Sequence, residues 1–382
     1  MKVSGLFAGI GGLELGLGRA GHDTLLLCEI DDGARTVLQS RFAEISLTED
    51  VRSMKALPTG TDLLAAGFPC QDLSQAGRTA GIEGSRSGLI GEVFRLLEKR
   101  RVPLVLLENV PFMLQLSRGR ALEVIVSALE GLGYSWAYRV VDTRAFGLPQ
   151  RRERVFLLAA LDEDPRRVLL SDEAGEPERD EPRAEVAFGF YWTEGIRGLG
   201  WAVDAVPTLK GGSTIGIPSA PAILLPSGEI IQPDLRDAER LQGFPADWTE
   251  PAERVARRGH RWHLVGNAIT VDVAAWIGRR LATPESYDPT GDRPLPKGQP
   301  WPRAAWNVGK GRFVADVSAW PERRPRIPLC DFLEFPGKPL SARATAGFLS
   351  RTAVSSLNFP PGFLQKVERH LERVRQELAT AV

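Results

Sequence analysis

The feature that most restricts the fold is an alternation, over the first 160 residues, of short apolar runs with longer segments of helical periodicity. Residues 102–109 are nearly all apolar, as a parallel strand buried on both faces should be. Runs that alternate with helical segments in this way predict an α/β protein with a doubly wound, mostly parallel sheet. Asp31 or Asp32 is expected to be the N-cap of the second helix. The predicted strands are 2–9, 23–30, 61–68, 102–109 and 154–161, and the predicted helices are 13–21, 31–42 and 120–133.

The character of the sequence changes after residue 160. Residues 162–185 are acidic and contain Pro and Gly, which indicates a solvated connection rather than a packed element. Helical, apolar character returns at 266–282, and residues 363–379 have the pattern of an amphipathic helix. The predicted organisation is a first domain over 1–159, a smaller, irregular, β-rich domain over 160–257, a return to the first domain over 258–284, and a C-terminal extension over 285–382.

The composition excludes several classes of protein. With 382 residues, of which 43% are apolar and 25% charged, the chain has room for two ordinary globular domains. No run approaches the ~20 apolar residues that cross a membrane, and nothing resembles a signal peptide. Cys28, Cys70 and Cys330 are too widely spaced for a disulfide framework or a paired metal site, so we expect a cytoplasmic protein without a metal. Because the net charge is zero, any surface that binds nucleic acid must be local.

The first predicted strand is followed by a glycine turn, in which Gly9, Gly11 and Gly12 allow main-chain N–H groups to approach a ligand closely. The turn has neither the third glycine of a dinucleotide fingerprint nor the Gly-Lys-Ser/Thr ending of a phosphate loop. Glu29 ends the next strand, where a carboxylate can accept hydrogen bonds from both hydroxyls of a ribose. Asp50 ends a third segment, where it could accept a hydrogen bond from an adenine amino group. Either acid alone would be explained as a surface residue, but together with the turn they predict a nucleoside-bearing cofactor with no phosphate to hold.

Further side chains are expected at the carboxyl edge of the same sheet, where open α/β sheets hold their chemistry. Cys70 follows a Pro in a loop too glycine-rich and polar for a core, and Glu108 lies near the end of an apolar strand. Arg152 and Arg154 are alternate residues, so in an extended chain they share one face. A capping carboxylate and surface arginines would explain these residues one at a time. Their convergence with a thiol on one edge of the sheet instead favours a functional site there.

The chain resembles the DNA (cytosine-5)-methyltransferases in segments that occur in the order of that family. The resemblance covers residues 3–280, and "GFPCQ", "ENV" and "QRRERVF" are its most specific segments. The sequence departs from the family pattern in two places. Leu264 stands where the family often has glutamine, and residues 86–94 vary the usual end of the catalytic loop. Neither departure involves a reacting group. The matching segments are "FAGIGG", "EIDD", "EDV", "GFPCQDLS", "ENV", "QRRERVF", "LRDAERLQGFP" and "VGNAI".

The resemblance implies the fold of an S-adenosylmethionine-dependent methyltransferase, with residues 1–159 as the catalytic and cofactor-binding domain and residues 160–257 as a target-recognition domain. It implies site-specific transfer of a methyl group from S-adenosylmethionine to C5 of a cytosine flipped out of duplex DNA. Cys70 would be the nucleophile, Glu108 the acid that faces the base, and Arg152 and Arg154 its partners in the pocket. The implied contacts to S-adenosylmethionine are Phe7, Gly9, Gly11, Glu29, Asp50, Leu89 and Asn267.

These implied roles agree with the chemistry of the reaction. Addition of a thiolate to C6 of cytosine makes C5 a better nucleophile, and a positive neighbourhood favours the thiolate form of Cys70. Burial beside a base is expected to raise the pKa of Glu108, so that its proton offsets negative charge on the ring. An arginine at O2 would stabilise the charge that develops there. The sequence does not identify the base that removes the C5 proton.

The expected partner is duplex DNA, bound by a monomer in a restriction-modification or phage-defence setting that would include a cognate restriction or defence system. A transfer-RNA cytosine-5 methyltransferase would carry the same motifs, but the long segment 160–257 argues against it. A catalytically inactive DNA-binding relative is the other alternative, and the intact Cys70, Glu108 and arginine pair disfavour it.

Residues 285–382 lie outside the resemblance and are Pro-rich and aromatic, with scattered arginines. We expect this extension to pack on the recognition domain with its tryptophans buried, as tryptophan usually is. In the alternative, the extension adds a DNA-contacting surface whose cations are Arg303, Lys310, Arg312 and Arg324.

Overall fold

The computed structural model of the chain describes residues 1–69, 88–178, 180–183, 185–212 and 220–380. Residues 70–87, which include Cys70, and residues 213–219 lie outside the described residues. The chain divides into two compact units. Unit 1 comprises Met1–Ala145, Glu153–Glu176 and Ile269–Arg323, and unit 2 comprises Phe146–Arg152, Pro177–Ala268 and Arg324–Val382.

The strands and helices are numbered in chain order. The strands are β1 (Lys2–Leu6), β2 (Asp23–Cys28), β3 (Ser46–Thr48), β4 (Leu63–Gly67), β5 (Leu104–Asn109), β6 (Ser135–Asp142), β7 (Gln150–Arg151), β8 (Glu153–Ala160), β9 (Phe188–Phe190), β10 (Trp201–Val203), β11 (Val206–Pro207), β12 (Ala222–Leu224), β13 (Ile230–Gln232), β14 (Arg293–Pro294), β15 (Ala304–Asn307), β16 (Phe313–Val314) and β17 (Lys338–Pro339). The helices are α1 (Gly12–Arg19), α2 (Asp32–Arg41), α3 (Leu89–Lys99), α4 (Arg120–Gly131), α5 (Arg166–Leu169), α6 (Leu235–Leu241), α7 (His260–Asn267), α8 (Val271–Ala282), α9 (Leu329–Phe332), α10 (Ala342–Thr352) and α11 (Phe363–Thr380).

Unit 1 is built on a sheet with the strand order β14-β16-β15-β6-β8-β5-β4-β1-β2-β3. Neighbouring strands are parallel from β3 to β5, whereas β8 is antiparallel to both β5 and β6. Strand β6 therefore has the same direction as β5, and β8 is the reversed strand between them. The prediction of a doubly wound, mostly parallel α/β sheet is confirmed. Strands β14 to β16 extend the edge beyond β6 in antiparallel fashion.

Helices α1, α2, α4 and α8 lie where the sequence pattern predicts helical segments, whereas α3 was not predicted. The prediction that residues 162–185 form a solvated connection is wrong for α5, because Val168 and Leu169 of this short helix are buried. Strand β5 is buried along its whole length, in agreement with its unbroken apolar sequence. Helix α8 returns to this unit and packs on α1, where a Cβ at Gly16 would lie 2.4 Å from the Cβ of Ala274, so only glycine permits the approach. Asp31 is the N-cap of α2, because its carboxylate accepts a hydrogen bond from the Ala34 N–H at 2.9 Å.

Unit 2 contains an antiparallel sheet with the strand order β10-β9-β12-β13-β17. Helices α10 and α11 pack on this sheet through an aromatic cluster of Phe190, Phe348 and Phe363, whose ring centroids lie 4.7 to 6.5 Å apart. The smaller, β-rich second architecture that the sequence predicts is therefore present. Within the described residues of both units, none of the helices has the length and apolar character of a membrane span.

The structure divides residues 285–382 between the two units. Strands β14 to β16 belong to the sheet of unit 1, and residues 324–382 belong to unit 2 together with most of the predicted recognition segment. Trp306 and Trp320 are buried, and the indole N–H of Trp306 donates to Asp292 at 2.6 Å. Burial of these tryptophans is the packing behaviour expected of the extension, although its first part packs within unit 1.

Three of the four extension cations considered for DNA contact are engaged within their own unit. Arg303 pairs with Glu153 at 2.8 Å, and Arg312 pairs with Glu130 at 2.9 Å. The guanidinium of Arg324 lies 5.2 Å from the centroid of an aromatic ring. These arginines therefore have a packing role, and contact with DNA by the extension remains an alternative hypothesis.

Candidate active site

The turn after β1 holds its main chain in a conformation that favours glycine. Phe7, Gly9 and Gly11 have φ angles of 54°, 55° and 83°, all in the left-handed region. A Cβ at Gly11 would lie 2.4 Å from an aromatic ring carbon, so glycine is required there by space as well as by conformation. The turn leads directly into α1, as the sequence predicts.

Glu29 lies beside this turn, immediately after β2. Its Oε2 accepts a hydrogen bond from the Gly9 N–H at 2.7 Å, and its Oε1 accepts one from the Asp31 N–H at 2.8 Å. Burial raises the pKa of Glu29, against the lowering effect of these two main-chain donors. The structure thus brings Glu29 and the glycine turn together, while the contact to a ribose remains a prediction.

Glu14, in the first turn of α1, is a second carboxyl group at this turn that sequence reasoning missed. Its side chain is 2% exposed, and its Oε2 has no hydrogen-bond partner among the described residues. Its Oε1 lies 2.0 Å from where a Cβ on Gly5 would be, so the glycine of β1 makes room for the acid. Burial, with a smaller contribution from the nearby charge of Glu29, raises the pKa of Glu14 to about 7. The available sequence signal was an acid in an otherwise apolar, glycine-rich segment.

Two other predicted cofactor contacts, Asp50 and Leu89, also belong to unit 1, and Asp50 follows β3, the strand that pairs with β2. Asp50 is the N-cap of a short 3-10 helix, and its carboxylate accepts hydrogen bonds from the main-chain N–H and the side chain of Arg52. The side-chain bond to Arg52 holds the pKa of Asp50 below its ordinary value. Leu89 is the first residue of α3 and packs, half-buried, on the core of unit 1. Their contacts to a cofactor remain predictions.

The best-formed part of the site is the end of β5, where Glu108 is 8% exposed. Its Oε1 lies 3.1 Å from Nε of Arg154 on β8. Strand β4 places Gly67 beside Glu108, and a Cβ on that glycine would lie 3.4 Å from Oε2 of Glu108 and 2.9 Å from Ile269. The structure therefore brings two of the four predicted catalytic residues, Glu108 and Arg154, into one ion pair.

The chain leading to Cys70 is held against the same strand. Asn109 is buried, and its side-chain amide donates to the carbonyl of Phe68 at 2.9 Å, two residues before Cys70 in the sequence. Its Oδ1 also accepts a hydrogen bond from the Val110 N–H. Sequence reasoning assigned no role to this asparagine, although it is the central residue of "ENV". Asn109 therefore fixes the direction in which the chain leaves β4.

Cys70 itself lies outside the described residues, and the two described thiols are poor nucleophiles. Cys28 is buried in β2, and this burial raises its pKa to about 12. Burial and two nearby carboxylates also raise the pKa of Cys330, which lies on α9 in unit 2. Within the part of the chain that the structure describes, no group of three or more His, Cys, Asp or Glu side chains could hold a metal ion.

Arg152, the other member of the predicted arginine pair, belongs to unit 2. It is 1% exposed, and its guanidinium donates to the carbonyls of Leu209 at 2.9 Å and Gly266 at 3.2 Å. A third bond joins it to the carbonyl of Ala268 at 2.6 Å. Arg152 therefore holds the end of α7 to the strand-like segment after β11, and its part in a base pocket remains a prediction.

Asn267, the predicted cofactor contact at the end of α7, is positioned by a histidine that sequence reasoning missed. The Asn267 side-chain amide donates to Nε2 of His263 at 3.0 Å, and Nδ1 of His263 donates to the Gly211 carbonyl at 2.5 Å. Gly211 and Gly266 are required here, because a Cβ on either would lie within 2.3 Å of neighbouring atoms. His263 thus connects the predicted cofactor contact to the glycine segment of the recognition region.

Comparison with known proteins identifies the family of the chain. The sequence profile of the C-5 cytosine-specific DNA methylase family matches residues 1–187. Type II methyltransferase M2.BsuMI of Bacillus subtilis (strain 168) is 47% identical over 391 residues, which cover 99% of this chain and 100% of that protein. Type II methyltransferase M.DsaV of Dactylococcopsis salina is 29% identical over 315 residues, which cover 74% of this chain and 86% of that protein.

Solved structures share the fold. The S. pombe Dnmt2 methyltransferase matches with a TM-score of 0.51 at 16% identity, and a Spodoptera frugiperda DNMT2 matches with a TM-score of 0.52 at 13% identity. Each match covers 74% of this chain and 98% of the other. The chain belongs to the C-5 cytosine-specific DNA methylase family. The resemblance read from its motifs, and the enzyme class that it implied, are confirmed.

Proposed function

We propose that the protein transfers a methyl group from S-adenosylmethionine to C5 of a cytosine that is flipped out of duplex DNA, through a covalent bond between Cys70 and C6. The observation that carries this proposal is the buried pair of Glu108 and Arg154 at the carboxyl end of β5, beside the strand that leads to Cys70. A carboxyl group and an arginine at hydrogen-bonding distance match the N3, N4 and O2 atoms of a cytosine ring. A base inside a duplex cannot reach buried groups, so flipping is part of the proposal.

The residues at the glycine turn fit S-adenosylmethionine better than a phosphate-bearing cofactor. Glu14 and Glu29 place two carboxyl groups at the turn, which would repel a phosphate. S-adenosylmethionine is uncharged at its ribose and carries positive charge on its sulfonium and ammonium groups, and it supplies the methyl group when bound. Gly9, Gly11 and Glu29 would hold it, with contributions from Phe7, Asp50, Leu89 and Asn267.

The protein residues would act in sequence on the base. Sγ of Cys70, as thiolate, forms a bond to C6, and the ring electrons move toward N3, where the proton of Glu108 offsets the charge. Arg154 would hold Glu108 in place and add positive potential to a largely buried site. C5 then accepts the methyl group, a base removes the C5 proton, and the electrons of the C5–H bond expel the Cys70 thiolate from C6. Arg152 would complete the base pocket.

The biological setting is proposed from the relatives. M2.BsuMI and M.DsaV are named type II methyltransferases, and the first of them is aligned over its full length with this chain. We infer that the protein modifies a specific DNA site within a restriction-modification or phage-defence system and acts as a monomer on DNA.

Covalent trapping tests the proposed chemistry. Duplex DNA that contains 5-fluorocytosine at the target site should form a complex that survives denaturing electrophoresis in the presence of S-adenosylmethionine, because fluorine at C5 cannot be removed as a proton is. The matched variants Cys70→Ala and Cys330→Ala differ in the thiol removed. Loss of the complex only in Cys70→Ala is expected, and equal trapping by Cys70→Ala would show that the assignment is wrong.

Transfer of radiolabelled methyl to transfer RNA but not to duplex DNA would favour the alternative substrate.

A further inference from the structure

A basic pocket lies in unit 1, away from the glycine turn and the end of β5. It is a cavity of about 630 Å³ between the start of α4 and the connection from β14 to β15. The second of these segments belongs to the extension and lies outside both the resemblance and the family profile match. The residues that define this pocket are Arg118, Arg120, Lys297, Arg312, Glu123 and Trp301.

The pocket is a built feature of the fold. Ser117, Arg118 and Gly119 all have positive φ, at 53°, 59° and 81°, so three consecutive residues adopt the left-handed conformation. The indole N–H of Trp301 donates to the Gly119 carbonyl at 2.9 Å, and a Cβ on Gly119 would lie 2.7 Å from the Trp301 ring. The unusual turn and the extension therefore fix one another in place, and backbone strain of this kind is often retained where a site needs it.

The charges around the pocket are unequally neutralised. Arg312 is held by Glu123 at 2.8 Å and Glu130 at 2.9 Å. Arg118, Arg120 and Lys297 are exposed, and within the described residues none of these three makes an ion pair or a side-chain hydrogen bond. Arg312 offsets only one of the two carboxylates that bind it, so the four cations of the pocket exceed these two carboxylates by two positive charges.

We propose that this basic pocket binds backbone phosphate of the DNA substrate outside the recognition sequence. The proposal rests on the proposed function, which makes duplex DNA the ligand. Three exposed cations around an open cavity suit a chain of phosphates, and the half-buried ring of Trp301 offers an apolar surface to the intervening sugars. The turn that carries Arg118 connects β5, on which Glu108 lies, to α4, so the pocket extends the substrate surface along the chain from the catalytic strand. A chain with zero net charge needs such a local basic surface to bind DNA.

The salt dependence of DNA binding tests the pocket. The triple variant Arg118→Ala, Arg120→Ala, Lys297→Ala is compared with a control, Lys55→Ala with Lys99→Ala, which removes exposed lysines that do not line the pocket. The slope of log K against log salt should fall by about 0.9 for each phosphate that the variant no longer binds, to a total of up to about 2.7, only in the triple variant. The control should change the slope little, and all proteins should keep the same melting temperature.

The length of the DNA duplex tests whether the pocket binds phosphates outside the methylated site. The loss of affinity in the triple variant should be seen with a duplex extended by roughly ten base pairs on each side of the methylated site, and should shrink with a duplex limited to that site. Turnover at saturating DNA and affinity for S-adenosylmethionine should match wild type. A wild-type salt slope in the triple variant, from protein that still methylates DNA, would overturn the pocket proposal alone.

The other outcomes point to other conclusions. If inorganic phosphate or a nucleoside diphosphate raises the melting temperature of wild type but not of the triple variant, while both bind long DNA equally, the pocket holds a small anion and the DNA proposal is wrong. If the wild-type chain neither methylates nor traps duplex DNA, the proposed function fails before the pocket is tested.

Discussion

The glycine turn of unit 1 and helix α6 of unit 2 differ in how they bury carboxyl groups. At the glycine turn of unit 1, Glu14 and Glu29 have no arginine partner among the described residues, Glu29 is bound by main-chain N–H groups, and burial raises the pKa of both. In unit 2, buried Asp237 binds Arg240 at 2.6 Å, and buried Glu239 binds Arg261 at 3.1 Å. The second arrangement neutralises charge permanently, whereas the first leaves charge to be neutralised by a ligand.

This difference indicates that the carboxyl groups at the glycine turn serve binding, whereas those of helix α6 serve stability. Burial of a charged group without an opposite charge costs free energy. A protein retains such a group where a ligand or a proton can neutralise it. At helix α6 the buried carboxylates are already neutralised by arginines, and removal of an arginine would leave an uncompensated buried charge. Removing charge should therefore impair binding or catalysis at the edge of unit 1 and impair stability in unit 2.

The largest effect is expected at Glu108. Glu108→Gln should lower turnover by about 10²–10⁴-fold, because the amide cannot supply a proton to the base. Affinity for S-adenosylmethionine, measured by calorimetry, should be nearly unchanged. Glu29→Ala is the matched variant and should show the reverse pattern, with cofactor affinity lost first. An unaltered turnover in Glu108→Gln would remove this residue from the mechanism.

Arg261→Met sharpens the comparison from the side of unit 2. Glu239 would be left buried with a charge and no arginine, so we expect a loss of about 3–5 kcal/mol in the free energy of unfolding. Denaturant titration measures it. Adding Glu239→Gln to Arg261→Met should recover part of the loss, since the uncompensated charge is then absent. A single variant as stable as wild type would contradict the assigned role.

Glu14→Gln tests the unpaired acid by its dependence on pH. The pKa of Glu14 is about 7 in the folded chain against an ordinary value of 4.5, so the folded state favours the protonated form. Its contribution is fully present below pH 4.5 and declines as pH rises to 7, by about 3 kcal/mol in all. Glu14→Gln should abolish this decline, so the variant should gain stability over wild type as pH increases. Parallel stability–pH curves for the two proteins would contradict the raised pKa.

The smallest effect is expected at His263, where two substitutions separate two hydrogen bonds. In His263→Gln the side-chain amide takes the position of Nε2, so it can accept the bond from Asn267 but does not reach Gly211. In His263→Asn the amide takes the position of Nδ1, so it can donate to Gly211 but does not reach Asn267. A single exposed hydrogen bond contributes about 1 kcal/mol, so changes of up to about tenfold are expected. His263→Asn should raise KM for S-adenosylmethionine with kcat little changed, and His263→Gln should instead weaken DNA binding. Equal effects of both variants on both ligands would show that His263 is only structural.

Much of unit 1 was predictable because its signals are local. An unbroken apolar run is enough to predict a buried parallel strand at β5, and a glycine-rich segment after a strand predicts the positive φ angles at Gly9 and Gly11. Strand β6 was missed, because its mixture of aromatic, charged and apolar residues has neither strict alternation nor a pure apolar run. The short strands of unit 2 had weak patterns for the same reason.

The candidate site divides in the same way. Residue type and position along a strand indicated Glu29 and Glu108, since a carboxylate at the carboxyl end of a strand is recognisable from sequence. Glu14, Asn109 and His263 were missed because their significance depends on partners such as Gly5, Phe68 and Gly211. Arg152 and Arg154 are alternate residues in the sequence, yet their surroundings differ. Arg152 donates to three main-chain carbonyls, whereas Arg154 pairs with the carboxylate of Glu108.

The sequence by itself determined most strands and helices of the parallel part of the sheet in unit 1, the conformation of the glycine turn, and the side chains available for chemistry. These follow from steric limits on the main chain and from periodicity over a few residues. Only the tertiary structure decided which charges are neutralised, such as Arg312 by Glu130, and which of the described charges are not, such as Arg118 and Lys297. Pairing of this kind joins residues nearly 200 positions apart and depends on which surfaces pack together, so no local pattern in the sequence records it.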